Sequence, residues 1–502
     1  MEDRANTFRQ YMADNGMSDL PQSLINGALR DGQGDPITLT DPFTRQALAS
    51  FADAGEALAD EACLAAQRAQ KIWMNEFSAA GRGAVMQDIA RAIGQCIEPL
   101  AGLEAIVAGK PVRDCRVEMA KVQEMFAYYA GWTDKIHGDV IPVPSGHLNY
   151  TRREPLGVVF QMTPWNAPAF TAGWQIAPAI ATGNGVVIKP SEFTPVTTVA
   201  LAMLAEKAGL PAGLVNVLCG LGQTAGQAAI AHDAVRKVIF VGSPMIGRLV
   251  AIAAAQALKP AVLELGGKSA NIVFDDASLT HACLGAQAAI FSGAGQSCVA
   301  GSRLLVQQGV HDEMLDLLQT GMNRITLGDP LDEATEVGPL GNQRQFEHVS
   351  SMIRNARTDG ATISSRDTLP EDGFFVPPTV LSGLSNSARS AQEEVFGPVV
   401  SLIPFRDEQE AIAMANDTTF GLAGAVWTGD VGRAHRVADQ VRAGTFWINS
   451  YKAIHVSSPF GGSLNSGFGR SSGTDALMEY TAAKSIWVDT APTPRIAFGY
   501  VS

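Results

Sequence analysis

The sequence is poor in the features that would mark a disulfide scaffold or a zinc protein. Its 502 residues include six cysteines, Cys63, Cys96, Cys115, Cys219, Cys283 and Cys298, and no two form a CxxC pair. None stands at zinc-ligand spacing from a histidine, so no metal site is expected. In a chain this long the pattern reads as free thiols in a reducing compartment. Long apolar runs are also missing; the longest are broken by Gly, Pro or charge, which excludes a membrane-spanning helix. The first residues, MEDRANTFRQYMADNGMSDL, lack the apolar stretch of a signal peptide, and a cytoplasmic location is expected. Positive charge is scarce, with 37 Lys and Arg against 50 Asp and Glu and a net charge of −13. That argues against a nucleic-acid or anionic-membrane partner and leaves room only for a local basic site. The dinucleotide fingerprint GxGxxG, a Walker lysine and the zinc motif HExxH are absent.

What is present is an ordinary globular balance, 46% apolar and 17% charged, with 50 glycines. The length calls for two or more domains. From about Glu56 to Phe126 the chain is Ala-rich with helical spacing of apolar residues, and several helices are expected. The stretch GDVIPVPSGHLNYTRREPLGVV then turns to β-branched residues, prolines and turn formers, which suggests extended chain. From Leu156 short apolar strands alternate with helices: LGVVFQM, PAFTAGWQIAPAIATGN, GVVIKP, PVTTVALAMLAEKAGL, VNVL, KVIFVG, MIGRLVAIAAAQAL and AVLELGG. This is the rhythm of right-handed βαβ units and a largely parallel sheet. It resumes from ANIVF to GTFWINS, with a boundary expected near Gly266 and Gly267. The fold class is α/β.

Cys298 lies in GAGQSCVAG, among residues too small to hide it. Cys63 and Cys283 sit on helices among Ala and Leu and read as core. Glu264 ends an apolar strand, the edge where open α/β sheets bind ligands, and burial there raises a carboxylate toward neutral pH. Taken alone, Asn166 in TPWNAP is a helix cap; Glu394 in EEVF alone is a solvated charge.

Four stretches, TPWNAP (163–168), VLELGGKSA (262–270), GQSC (295–298) and EEVFGPV (393–399), together resemble the aldehyde dehydrogenase superfamily, in its NAD(P)-dependent, non-acylating, betaine-aldehyde-dehydrogenase-like branch. IKPSEFTP, FVGSPMIG, FGLAGAVWT, PFGG and SGFGR extend the likeness from about residue 110 to 485. The resemblance implies a Rossmann-variant NAD-binding domain (1–130 and 154–265), an α/β catalytic domain (266–466) and a small β oligomerisation arm (131–153 and 478–498), in a homodimer or homotetramer. It implies oxidation of an aldehyde to a carboxylic acid. Cys298 would attack to give a thiohemiacetal and then a thioester, Asn166 and the Cys298 N–H would hold the oxyanion, and Glu264 would activate water. For NAD, it implies Lys189 and Glu192 at the adenine ribose, Ser243 and Gly242 at the pyrophosphate, and Glu394 at the nicotinamide ribose. Trp165, Leu265, Gly267 and Phe396 would surround the cofactor, with Gly266 and Gly267 leaving space for the ring. Glu192 would repel a 2′-phosphate, which favours NAD over NADP. Trp174, Tyr451, Lys452, Ile454 and Phe460 would line the substrate tunnel, and Lys452 at its entrance would suit a distal negative charge. Ser463, Leu464, Pro244 and Met245 depart from frequent family residues, as does Ala167. Two alternatives stand beside this reading: a cysteine esterase or thioesterase without redox chemistry, and a non-catalytic NAD-binding protein. An acylating relative would often lack the glutamate present here as Glu264.

Overall fold

In the computed structural model, residues 3–366 and 368–492 are described. Four helices, Gly55–Asn75, Ala79–Gln95, Ile97–Ala108 and Val112–Ala130, occupy the Ala-rich region. Their apolar faces share one core with the helix Pro168–Ala181. The indole of Trp73 donates to the carbonyl of Ile180 at 2.9 Å, so even the polar edge of that buried ring is satisfied.

The first sheet is built on five parallel strands. Val158–Met162, Gly185–Lys189 and Val215–Val217 run outward in one direction, and Val235–Val241 and Ala261–Glu264 are added on the other side of Val158–Met162. The strand order therefore reverses between Val158–Met162 and Val235–Val241. Ligands bind in the crevice at such a reversal, beyond the carboxyl ends of the strands. These strands read as continuous Val/Ile runs because helices cover both faces. Antiparallel strands close the edges: Ser23–Ile25 and Ala28–Arg30 on one side, and Gly467–Phe468, returning late from the chain, on the other.

The second sheet has the order Thr362–Ser365, Thr379–Ser382, Val399–Phe405, Arg303–Gln307, Ala270–Val273, Ala423–Trp427, Thr445–Ile448. All pairs are parallel except the first. The chain passes from one sheet to the other between Glu264 and Ala270. A third sheet pairs His147–Pro155 with Thr481–Asp489 in unbroken antiparallel register, with Val140–Ile141 beside it. The expected arm thus takes shape as a ribbon whose first long strand runs on to Pro155. Its first residues do not join it: Trp132 and Ile136 pack on the main helical core. Residues 493–498 of the expected arm lie outside the described residues.

Between the strand Arg303–Gln307 and the strand Val399–Phe405 the structure adds elements that the strand–helix reading did not assign. They are the helix Gln343–Thr358 and the strands Thr362–Ser365 and Thr379–Ser382. Asn342 caps that helix, accepting from the Gln345 N–H, and Val349, Met352 and Ala356 form its buried face.

Candidate active site

The loop before Cys298 is wound tightly. Gly293, Ala294 and Gly295 have φ values of 62°, 54° and 71°, three successive left-handed residues. A Cβ on Gly295 would lie 2.0 Å from the carbonyl oxygen of Gly397. The glycines of GAGQSC thus serve backbone shape and close approach rather than openness alone. Gln296 pins the loop: its side chain accepts from the Gly341 N–H at 2.9 Å and donates to the Gly293 carbonyl at 3.2 Å.

Cys298 is half-buried rather than freely exposed. Burial, with the carboxylates of Glu394 and Glu264 nearby, pushes its thiol up to about 12; the backbone N–H groups of Val299 and Cys298 pull the other way. The sulfur is therefore a thiol at neutral pH and needs a base to become a nucleophile.

Glu264 ends its strand between Val241 and Gly467 and is buried. Its Oε1 accepts from the Ser471 hydroxyl at 3.0 Å, and its Oε2 has no partner. Burial pushes this carboxyl up to about 8, against the pull of Ser471 and Arg470. A group poised there can take a proton near neutral pH. Its partner Ser471 also lines a small cavity with Trp174, Val262, Arg470, Glu479 and Tyr480.

Asn166 does not cap the helix Pro168–Ala181, whose N-cap makes no side-chain bond. Its amide instead donates to the Gln296 carbonyl at 2.9 Å, two residues before the nucleophile. The structure thus joins TPWNAP to GQSC across 130 positions and points a side-chain donor at the Cys298 loop.

The residues expected at a cofactor gather along the carboxyl edge of the first sheet. Lys189 is buried and donates to the carbonyls of Pro190 (2.8 Å) and Gly220 (3.0 Å), with Glu192 3.9 Å away. Ser243 caps the helix Pro244–Gln256, and the Gly242 N–H donates to the Glu264 carbonyl at 3.0 Å. Leu265 is packed in the core of the first sheet, where a Cβ on Gly247 would come within 2.5 Å of it. Trp165 and Phe396 meet edge to face at 5.6 Å.

The structure adds a contact-level reason for the two glycines after Leu265. A Cβ on Gly266 would stand 2.1 Å from Glu394 Oε2, and one on Gly267 would stand 2.6 Å from the Cys298 carbonyl oxygen. The Gly267 N–H also donates to Glu394 Oε1 at 2.9 Å. The glycines make room for the Glu394 carboxyl and the Cys298 loop. Burial pushes Glu394 up to about 7.

Of the expected tunnel residues, Tyr451, Ile454 and Phe460 pack in one cluster with Cys298. Trp174 meets Phe460 edge to face at 5.8 Å and tilts against Phe170 at 5.0 Å. The Tyr451 hydroxyl donates to the Val299 carbonyl at 3.0 Å. Lys452 donates to the Ala288 carbonyl (3.1 Å) and the Ser292 hydroxyl (2.9 Å). Sequence reasoning missed Phe170, Ser292, Gln296 and Ser471. Phe170 and Gln296 lie within stretches already singled out; Ser292 stands just before one of them, and Ser471 carries no local signal for its role.

A doubly wound sheet facing a second, mostly parallel sheet, with a thiol, a buried carboxylate and an amide gathered between them, defines an α/β protein with a candidate active-site cleft. The Aldehyde dehydrogenase family matches residues 29–486. An aldehyde dehydrogenase of Emericella nidulans is 40% identical over 463 residues, covering 92% of this chain and 93% of its own. A betaine aldehyde dehydrogenase of Bacillus subtilis is 40% identical, covering 91% and 94%. The solved structure of PnpE from Pseudomonas sp. WBC-3 in complex with nicotinamide adenine dinucleotide superposes with a TM-score of 0.92 at 41% identity, covering 94% and 98%. The chain belongs to the aldehyde dehydrogenase family, and the chemistry of that family is the oxidation of aldehydes.

Proposed function

We propose that this protein oxidises an aldehyde to a carboxylic acid with NAD, and that Cys298, Glu264 and Asn166 do the covalent work. The observation that carries the reading is the convergence of these three groups, drawn from three separate stretches, where the two sheets meet.

Glu264, held near 8 by its burial and close enough to act on the Cys298 thiol through space, takes the thiol proton. The Cys298 sulfur then adds to the aldehyde carbon and forms a thiohemiacetal. The Asn166 amide leaves the Gln296 carbonyl and, with the Cys298 N–H, donates to the new oxyanion. NAD supplies a hydride acceptor at this stage. Glu264 gives the thiol proton up to solvent and is a base again; the thioester left on Cys298 is then hydrolysed by water that it deprotonates, and its unpartnered Oε2 is the oxygen free to do so.

The site suits a dinucleotide. The crevice at the strand-order reversal brings together the exposed N-terminus of the 13-residue helix Pro244–Gln256, the Lys189 ammonium and the partly exposed Glu192 carboxylate. Such a set matches a pyrophosphate and a ribose diol, and a carboxylate at that place disfavours a 2′-phosphate. Lys189, Glu192, Gly242, Ser243 and Leu265 would hold the adenosine and pyrophosphate half. Trp165, Gly267, Glu394 and Phe396 would hold the nicotinamide half. On this reading residues 1–130 and 154–265 bind the cofactor, 266–466 carry the nucleophile, and 131–153 with 478–498 form the arm.

We also infer a homodimer or homotetramer. The helix Pro244–Gln256 exposes a stripe of Met245, Leu249 and Ile252, and the arm exposes Val140 and Trp487. Apolar stripes of this kind mark protein contacts, and an unpaired strand edge offers backbone hydrogen bonds to another chain. No helix among the described residues is long and apolar enough to cross a membrane; a cytoplasmic location is proposed from the free thiols.

The deciding experiment mixes protein, NAD and a panel of aldehydes and follows NADH. NADH from the wild type and its loss in Cys298→Ala are expected. Ester cleavage without NADH favours a cysteine esterase; NAD binding without turnover favours a retired enzyme. Undiminished NADH from Cys298→Ala refutes the assignment.

A further inference from the structure

The Lys452 ammonium sits at the end of the helix Leu279–Ile290, next to the Tyr451 that packs with Cys298, with hydrogen bonds but no carboxylate ion pair among the described residues. Its backbone is left-handed, with φ of 57°, and follows Tyr451, whose hydroxyl reaches the Val299 carbonyl next to the nucleophile. Its Nζ is anchored by the Ala288 carbonyl and the Ser292 hydroxyl. Both belong to the end of the helix Leu279–Ile290 or just beyond it, where the helix dipole favours a cation. One of the two partners, Ser292, stands six residues before Cys298, and the two bonds leave the third N–H uncommitted.

The surrounding acids are already engaged. Glu118 pairs with Lys110. Asp114 lies 3.5 Å from Arg113. Glu124, further along the same helix, is shared by Lys121 and His455, each at 2.7 Å. Lys452 itself makes no ion pair with a carboxylate among the described residues; Asp114 and Glu118 act on it only through space. A chain of net charge −13 thus holds a surplus cation within electrostatic reach of its nucleophile. Burial pushes Lys452 down to about 8, which leaves it mostly charged at pH 7.

We propose that Lys452 selects aldehydes that carry a carboxylate at the end remote from the carbonyl, so that the enzyme converts the semialdehyde of a dicarboxylic acid to the diacid. The proposal rests on the catalytic reading above and adds the substrate class to it. The free N–H of Lys452 would donate to the substrate carboxylate while Tyr451, Ile454 and Phe460 flank the chain between the two ends. Ammonium–carboxylate hydrogen bonds are among the stronger polar contacts in a partly dehydrated site. The rings of Phe170, Trp174 and Phe460 offer the opposite preference, an aromatic wall for a quaternary ammonium, and this makes the charge of the preferred substrate a sharp question.

The test compares three aldehydes of equal chain length, ending in a methyl, a carboxylate or a trimethylammonium group, at saturating NAD. The carboxylated aldehyde is expected to have at least a tenfold higher kcat/KM than the neutral one, chiefly through KM. In Lys452→Met that ratio is expected to fall at least tenfold, and in Lys452→Arg to recover in part. Should the variants fail to fold, the wild type alone still answers. A short α,ω-dicarboxylate should slow alkylation of Cys298 by iodoacetamide, and the matching diamide should not. Equal or higher kcat/KM for the neutral or trimethylammonium aldehyde, a ratio unmoved in Lys452→Met, or equal protection by diacid and diamide overturns the proposal. NADH from the neutral aldehyde without a carboxylate advantage sinks this inference alone. No NADH from any of the three sinks the catalytic reading with it.

Discussion

Replacing Ser471 by alanine removes one hydrogen bond and should move the working pH of the enzyme. The Ser471 hydroxyl donates to Glu264 Oε1 at 3.0 Å, and the other oxygen of that carboxyl has no partner. The bond favours the ionised carboxylate, so it holds down a group that burial pushes up to about 8. A hydrogen bond to a charged group contributes about 1.5–3 kcal/mol net. At about 1.36 kcal/mol per pH unit, its loss raises the carboxyl by about 1–2 units. The sign is fixed: a base must be deprotonated to work, so the ascending limb of activity moves to higher pH. At pH 7 the ionised fraction of Glu264 falls from roughly a tenth to roughly a hundredth or less. Turnover limited by thioester hydrolysis then drops about tenfold or more at pH 7 and recovers at alkaline pH. The assay is kcat against pH from 6 to 10 for wild type, Ser471→Ala and Ser471→Thr, with a burst of NADH confirming that hydrolysis limits the rate. Ser471→Thr keeps a hydroxyl and should track the wild type. A limb that stays in place or moves to lower pH in Ser471→Ala refutes the argument.

Two further outcomes follow from contacts already described. In Gly266→Ala the new Cβ falls 2.1 Å from Glu394 Oε2, so the Glu394 carboxyl must swing away and give up its bond to the Gly267 N–H; KM for NAD should rise at least tenfold, measured by initial rates, and an unchanged KM would show that Glu394 does not meet the cofactor. Leu249→Glu places a charge in the middle of the stripe Met245–Leu249–Ile252 on an exposed helix face; sedimentation equilibrium should show a smaller assembly than the wild type, and a wild type that is already monomeric, or a variant of unchanged mass, removes the oligomer proposal.

Cys298 and Glu264 were legible as candidates from their own stretches, and Asn166 only from the four stretches taken together. Alternation of Val- and Ile-rich strands with helices likewise exposed the parallel sheets. What escaped was either polar or distant. The helix Gln343–Thr358 is mostly charged and polar, so its buried positions Val349, Met352 and Ala356 are diluted, although their spacing fits a helix. Yet Gln345 on that helix holds the carbonyls of Val395 and Phe396, and Val349 packs where Gly397 lacks a side chain. It therefore shapes the loop that bears Glu394. Ser471 reaches Glu264 across 207 positions, a separation at which no local pattern survives. Glu394 meets Gly267 across 127, and this contact was hidden from the sequence for the same reason.

The short strand Gly467–Phe468 pairs with the end of Ala261–Glu264, and Ser471 comes three residues after it. A ribosome that has released only the first four hundred and fifty residues has therefore made both the sulfur and its base, but not the hydroxyl that tunes the base. Such a nascent chain also lacks Tyr451, Ile454 and Phe460, which pack with Cys298. Completion of the site awaits the docking of a segment made long after Glu264 and Cys298.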